Sequence, residues 1–179
     1  MKKFIVLLYS LILISGCESG NTAKGVVEDY LSSYQNLEYQ VLTDMEEIVS
    51  SEIDFTDEQK DLYRDILKKQ YEDFEYEITN ESYNEDEATV KAKISVYDYY
   101  KVSLQASDYL KNNVDEFYDK NNEYSNKLYM DYKLNLYKKT TTKVTYEIEF
   151  NLVKENGIWK LYEVSNDVLE KIHGIYEYE

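Results

Sequence analysis

The run from Ala88 to Val96 constrains the fold more than any other stretch of the chain. Ala88, Val90, Ala92, Ile94 and Val96 alternate with Thr89, Lys91, Lys93 and Ser95. That period belongs to a strand with one face in a core and one in water; a helix would scatter the same apolar residues around its circumference. Such a strand predicts an antiparallel sheet with one solvated face and something packed on the other. Upstream, Phe74, Tyr76 and Ile78 alternate with Glu75, Glu77 and Thr79, and the polar group Asn84-Glu85-Asp86-Glu87 reads as the turn of a hairpin. A second hairpin is equally well marked. Val144, Tyr146, Ile148, Phe150 and Leu152 alternate with polar residues, Asn156-Gly157 supplies two turn positions that tolerate positive φ, and Ile158 to Val164 returns.

The remaining segments have helical spacing. Asn21 or Thr22 offers an N-cap, after which Val27, Tyr30, Tyr34, Leu37, Val41, Met45 and Ile48 recur at three- and four-residue steps, predicting one long amphipathic helix. Thr56 and Gln59 form a capping box for a shorter helix through Leu62, Ile66 and either Gln70 or Tyr71. Between the hairpins, residues from Ser103 to about Lys138 return to helical spacing through Leu110, Val114, Phe117, Tyr124, Leu128 and Tyr132. The poor helix formers Asp119-Lys120-Asn121-Asn122 divide this crossover into two helices. Ser165 or Asn166 caps a last short helix carrying Val168, Leu169 and Ile172, with Gly174 at its C-terminal stop.

The N-terminus reads differently. Met1-Lys2-Lys3 is a positive start, and Phe4 to Ile14 is an apolar run of 11 residues, too short to span a bilayer, which takes about 20. It ends in Leu13-Ile14-Ser15-Gly16-Cys17, which resembles the lipobox of a bacterial lipoprotein. The resemblance implies a diacylglyceryl thioether on Cys17 and cleavage before it. Two acyl chains anchor stably where one gives only marginal, reversible binding. The expected organisation is a signal peptide over 1–16, a lipidated Cys17 with a short tether over 17–21, and a single α+β domain over 22–179. The expected location is the cell membrane, lipid-anchored on its extracytoplasmic face.

Composition narrows the function classes. One cysteine in 179 residues forms no internal disulfide, no CxxC redox pair and no cysteine-based zinc site. The net charge is −16, and removing 1–16, with Lys2 and Lys3 and no acid, makes it −18. Such a polyanion is repelled by nucleic acid. There is no GxGxxG and no P-loop among only five glycines. Proline is absent and tyrosine reaches 21, most of which are expected to be amphipathic core or rim residues.

The segment Lys154-Glu155-Asn156-Gly157-Ile158-Trp159-Lys160-Leu161, followed by Asn-Asp-x-Leu-x-x-x-Ile-x-Gly over Asn166 to Gly174, resembles the closing part of nuclear-transport-factor-2-like domains. It is most similar to those in small lipoproteins of low-G+C Gram-positive bacteria. The order of elements extends the resemblance over roughly residues 23–174, while the specific residues cover only the last thirty or so. It implies a curved antiparallel sheet wrapped on helices as a cone that often holds a pocket, and no particular activity.

Candidate chemistry is sparse. Asp98 continues the register of Val90 to Val96, so a regular strand would aim it at the core face, where a carboxylate could serve as a base at a pocket mouth; a strand ending there would leave it solvated. The one histidine, His173, falls at the end of the last helix, where a cation suits the helix dipole. Asp119, Asn121 and Glu123 alternate like calcium ligands, but Tyr124 stands where such a loop needs glycine and Met130 where it needs an acid. The reading that follows is a non-enzymatic binding or interaction domain of an extracytoplasmic lipoprotein, with no metal and no cofactor. Its expected partners are the membrane, through Cys17, and an envelope protein, peptide or small ligand. An enzyme acting on a small apolar substrate in the cone and an envelope immunity or protection factor are the alternatives.

Overall fold

The computed structural model describes residues 21–178. Helices α1 (Ala23–Gln35), α2 (Tyr39–Ser51) and α3 (Asp57–Glu72) precede strands β1 (Glu75–Asn84) and β2 (Glu87–Tyr97). The crossover is α4 (Tyr99–Asn112), a 3-10 turn at Val114–Phe117 and α5 (Asn126–Lys139). Strands β3 (Lys143–Glu155) and β4 (Ile158–Leu161) and helix α6 (Asn166–Ile172) follow. The fold is α+β, with six helices and one open antiparallel sheet of order β1-β2-β3-β4 made of two hairpins.

The sheet is organised on the predicted alternation. β2 pairs with β3 without interruption from Glu87↔Val153 to Tyr97↔Lys143. On the inner face Ala88 lies opposite Leu152 and Ala92 opposite Ile148, small against large, and all four are buried. That leaves room for α1, whose Ala23, Val27, Leu31 and Tyr34 enter the same core. The outer face is a charged ladder open to water, with Lys91 3.1 Å from Glu149 and Lys143 2.6 Å from Glu75. A second apolar cluster, Ile66, Tyr97, Tyr99, Val102, Leu134 and Tyr137, joins α3 to the crossover helices.

Polar contacts fix the helices against one another. The capping box at Thr56 and Gln59 is formed, and the buried Gln59 amide also donates to Lys127 O at 3.0 Å and Asp131 Oδ1 at 2.7 Å, tying α3 to α5. Arg64, the chain's single arginine, grips Glu46 through Nε and Nη2, locking α3 to α2.

Three expectations are corrected. The single long N-terminal helix is two helices, because the chain turns at Leu37 with φ 48°. Glu38 N–H reaches Ser33 O and Leu37 N–H reaches Tyr34 O, both at 3.0 Å. That is the Schellman pattern, with leucine in the left-handed position glycine usually takes. The returning strand expected to Val164 ends at Leu161, and the first crossover helix begins at Tyr99, four residues before Ser103.

The same pattern ends α6, here with Gly174 at φ 70°: Gly174 N–H reaches Lys171 O at 3.1 Å and Ile175 N–H reaches Glu170 O at 3.0 Å. A Cβ at Gly174 would lie 2.0 Å from Tyr97 O, whereas one at Gly157, φ 83°, would meet nothing within 4 Å. Gly157→Ala is therefore expected to cost about 1–2 kcal/mol, the backbone term alone. Gly174→Ala adds a clash with main chain and is expected to cost roughly 4 kcal/mol or more in urea unfolding. Equal costs would show that the close approach of Gly174 to Tyr97 is absent.

Candidate functional site

The residues singled out for chemistry gather where β2 ends and the C-terminal segment returns. Asp98 is buried, so it is not the solvated end of a strand. One of its carboxylate oxygens accepts the N–H of Lys101 at 2.9 Å and caps α4; the other accepts the Tyr178 hydroxyl at 2.6 Å. That bond, made to an acceptor of full charge, is the largest influence on the Tyr178 hydroxyl and holds its pKa up at about 12. Tyr146, packed edge-on against Tyr176 and Tyr178, is buried with its hydroxyl unpartnered. Asp98 thus carries two structural bonds and lines neither of the concavities described below.

His173 ends α6 but is not a cation there. It is half-buried, its Nδ1 is 3.0 Å from the Tyr71 hydroxyl, and burial pushes its pKa down to about 4. The neutral ring is the form held at neutral pH, which corrects the helix-dipole reading. Asp119 is a turn staple: its carboxylate accepts Asn121 N–H at 2.8 Å and Glu123 N–H at 3.1 Å beneath a Tyr118–Tyr124 bridge. Those backbone bonds, that from Glu123 foremost, hold it below the usual carboxylate range. Among the described residues no group of three or more His, Cys, Asp or Glu is placed to hold a metal ion. Cys17 lies outside the described residues.

Two concavities among the described residues are large enough to describe. A small one of about 110 Å³ lies between the α2–α3 connection and α5, among Phe55, Tyr63 and Leu134, with Glu52 and Lys133 at its rim. A larger one of about 330 Å³ is an open groove between β3 and α6. Ile148 and Val168, both buried, line it together with Glu147, Glu149, Asp167, Ser165 and the two lysines Lys91 and Lys171. It was not expected from the sequence. The signal that could have found it is the disparity between a 13-residue β3 and a 4-residue β4, which leaves most of one edge of β3 without a partner strand.

Among protein families, curated proteins and solved structures, the chain matches none. No helix among the described residues is long and apolar enough to cross a membrane.

Two outcomes follow from this geometry. Asp98→Ala removes a cap and a charged acceptor and is expected to cost roughly 2–4 kcal/mol, while Asp98→Asn keeps one oxygen for the Lys101 N–H, can turn the other bond round by donating its amide to the Tyr178 hydroxyl, and should cost about 1 kcal/mol. Urea unfolding of the two variants separates the structural role from a purely ionic one, which would make them equally unstable. For His173 the folded pKa is depressed, so its contribution is fully present above about pH 6.5 and is lost as pH falls toward about 4. The stability difference between the native chain and His173→Gln should therefore shrink progressively between pH 7 and pH 4; a constant difference would mean that His173 is not kept neutral by burial.

Proposed function

We propose that the chain is an extracytoplasmic lipoprotein, anchored through lipid on Cys17, whose folded domain works by binding a partner and not by catalysis. The lipobox-like stretch Leu13 to Cys17 carries the first half of this reading. The second half is supported by how the interior is used. Phe150, Trp159, Tyr34 and Tyr71 are buried in one continuous core where a cone would hold its pocket, and Asp98 and His173 are engaged in structural hydrogen bonds. The nuclear-transport-factor-2-like assignment belongs to this proposal and is supported by the order of elements: helices, hairpin, crossover helices, hairpin, helix.

The anchoring geometry follows from a short tether. Four residues, Glu18 to Asn21, reach about 14 Å when extended. Asn21 is fixed: its side-chain oxygen accepts Trp159 N–H and its amide donates to Trp159 O at 3.3 Å. On this reading the β3–β4 hairpin is the part of the domain held nearest the bilayer.

A clickable fatty-acid label and membrane fractionation test the anchor. The native chain should take the label and sediment with membranes, and Cys17→Ser should do neither. Label and sedimentation retained by Cys17→Ser would refute it.

A further inference from the structure

The groove between β3 and α6 has unpaired backbone in it. Tyr162 N–H donates to Asn151 O at 2.8 Å, and Val153↔Lys160 and Glu155↔Ile158 continue that pairing to the hairpin turn. In an antiparallel ladder the N–H and C=O of alternate residues point to the same side. Odd-numbered residues of β3 therefore address β4, and those upstream of Asn151, namely Thr145, Glu147 and Glu149, address the space beyond its end. Lys171 Nζ comes within 3.5 Å of the Glu147 carbonyl, and from β2 Lys91 and Lys93 lie 3.1 Å and 3.9 Å from the Glu149 and Glu147 carboxylates, so these acids are shared across the outer face while the backbone edge stays open. The outer edge of β1 differs. Its register slips between Ile78 and Asn80, and Glu75, Glu77 and Glu81 stand along it, which are devices that protect an edge from pairing. The free part of β3 has no bulge, and α6 walls it at the width of a groove of about 330 Å³.

We propose that this edge, Thr145 to Glu149 walled by α6, docks an extended segment of a partner protein as a fifth strand, with basic and apolar side chains alternating along it. The inference rests on the reading of the domain as a binding module and names the partner's chemistry. An added strand places residues opposite Glu147 and Glu149 on the charged outer face and their neighbours against Ile148 and Val168, which sets the alternation. Charge decides between a foreign segment and a second copy. A two-fold pairing of β3 with itself about Glu147 sets Glu147 against Glu147, and each chain carries −16. From α6 the groove takes one side chain of each sign, Asp167 and Lys171, so the acidic side chains at the groove, Glu147, Glu149 and Asp167, outnumber the basic ones, Lys91 and Lys171. Five free residues span about 17 Å, so a segment of five or six residues fills the site.

The test uses the full-length chain, purified in mild detergent and labelled with 15N, titrated with a dye-labelled peptide of three Lys-Val repeats and with its Glu-Val counterpart. The Lys-Val peptide should bind at least tenfold tighter than the Glu-Val peptide, and the Glu147 and Glu149 amides should become protected from hydrogen exchange at least tenfold. Glu147→Gln combined with Asp167→Asn changes two exposed side chains, and should weaken binding about fivefold while the rest of the amide spectrum stays native. Equal binding of both peptides, protection appearing on β1 instead, or no binding at all would overturn the proposal. So would a dimer with Glu147 and Glu149 already protected before peptide is added. Because the readout is independent of the lipid, a negative result here with Cys17 still labelled refutes the groove and leaves the anchor standing.

Discussion

The Gln70 side chain is the contact on which the packing of the C-terminal third depends. It is fully buried on α3, where an unsatisfied amide would cost more than most single contacts supply. Its oxygen accepts Tyr97 N–H at 2.9 Å, at the last residue of β2, and its nitrogen donates to Ile172 O at 3.2 Å, at the end of α6. One carboxamide thus holds three elements at a fixed spacing. Gly174 can approach Tyr97 only because it lacks a side chain, and its carbonyl then accepts Tyr100 N–H at 2.8 Å. From there the tail reaches Tyr178, whose hydroxyl closes the arrangement on Asp98. The acid at the end of the strand register is explained by this chain of contacts.

Aromatic residues fill the space that such fixed spacing leaves. Tyr34 meets Tyr71 edge-on at 5.2 Å between ring centroids, Tyr30 meets Phe150 at 5.6 Å, and Tyr99 stacks on Tyr137 at 4.7 Å. Tyrosine suits these positions because the ring packs as an apolar body while the hydroxyl finds a partner at the boundary. Tyr71 uses His173, Tyr97 uses Asp73, and Tyr99 uses the Ile66 carbonyl. The burial that this packing imposes on His173 also keeps its ring neutral.

The sequence announced those features whose cause is local. Alternation from Ala88 to Val96 and from Val144 to Leu152, the Thr56–Gln59 box, the Asn156-Gly157 turn and the Gly174 stop each have a short-range physical origin, and each stands in the structure. The features without a local signature have one of two causes, an unusual residue in a usual role or a contact across the fold. Leu37 sits where the helix-stop signal is normally glycine, and its side chain packs on the core in phase with both helices, so the periodicity runs through the break. The fate of Asp98 was set by Tyr178, eighty residues on, and that of His173 by Tyr71, neither of which any local pattern records. The groove depends on β4 stopping at Leu161, because Val164 then packs on the core instead of continuing along β3.

The two ends of the sheet are held by different contacts. At one end, Lys154 N–H reaches Asp86 O at 2.7 Å, so both hairpin turns lie together beside Trp159 and the fixed Asn21. At the other end lie Tyr97, Lys143 and the Gln70 contacts. Lys143 and Lys154 are eleven residues apart on one strand, about 36 Å at the rise of an antiparallel strand. Anchoring through Cys17 would hold the hairpin turns at the bilayer and stand the Gln70 end away from it. Glu149 lies five residues up β3 from Lys154, so the groove would open about 17 Å beyond the anchored end. An unpaired edge exposed at that height is reachable by a partner moving along the membrane surface or above it. On that reading, pairing between copies would be opposed by their charge, which would let such an edge stay open without recruiting its own kind.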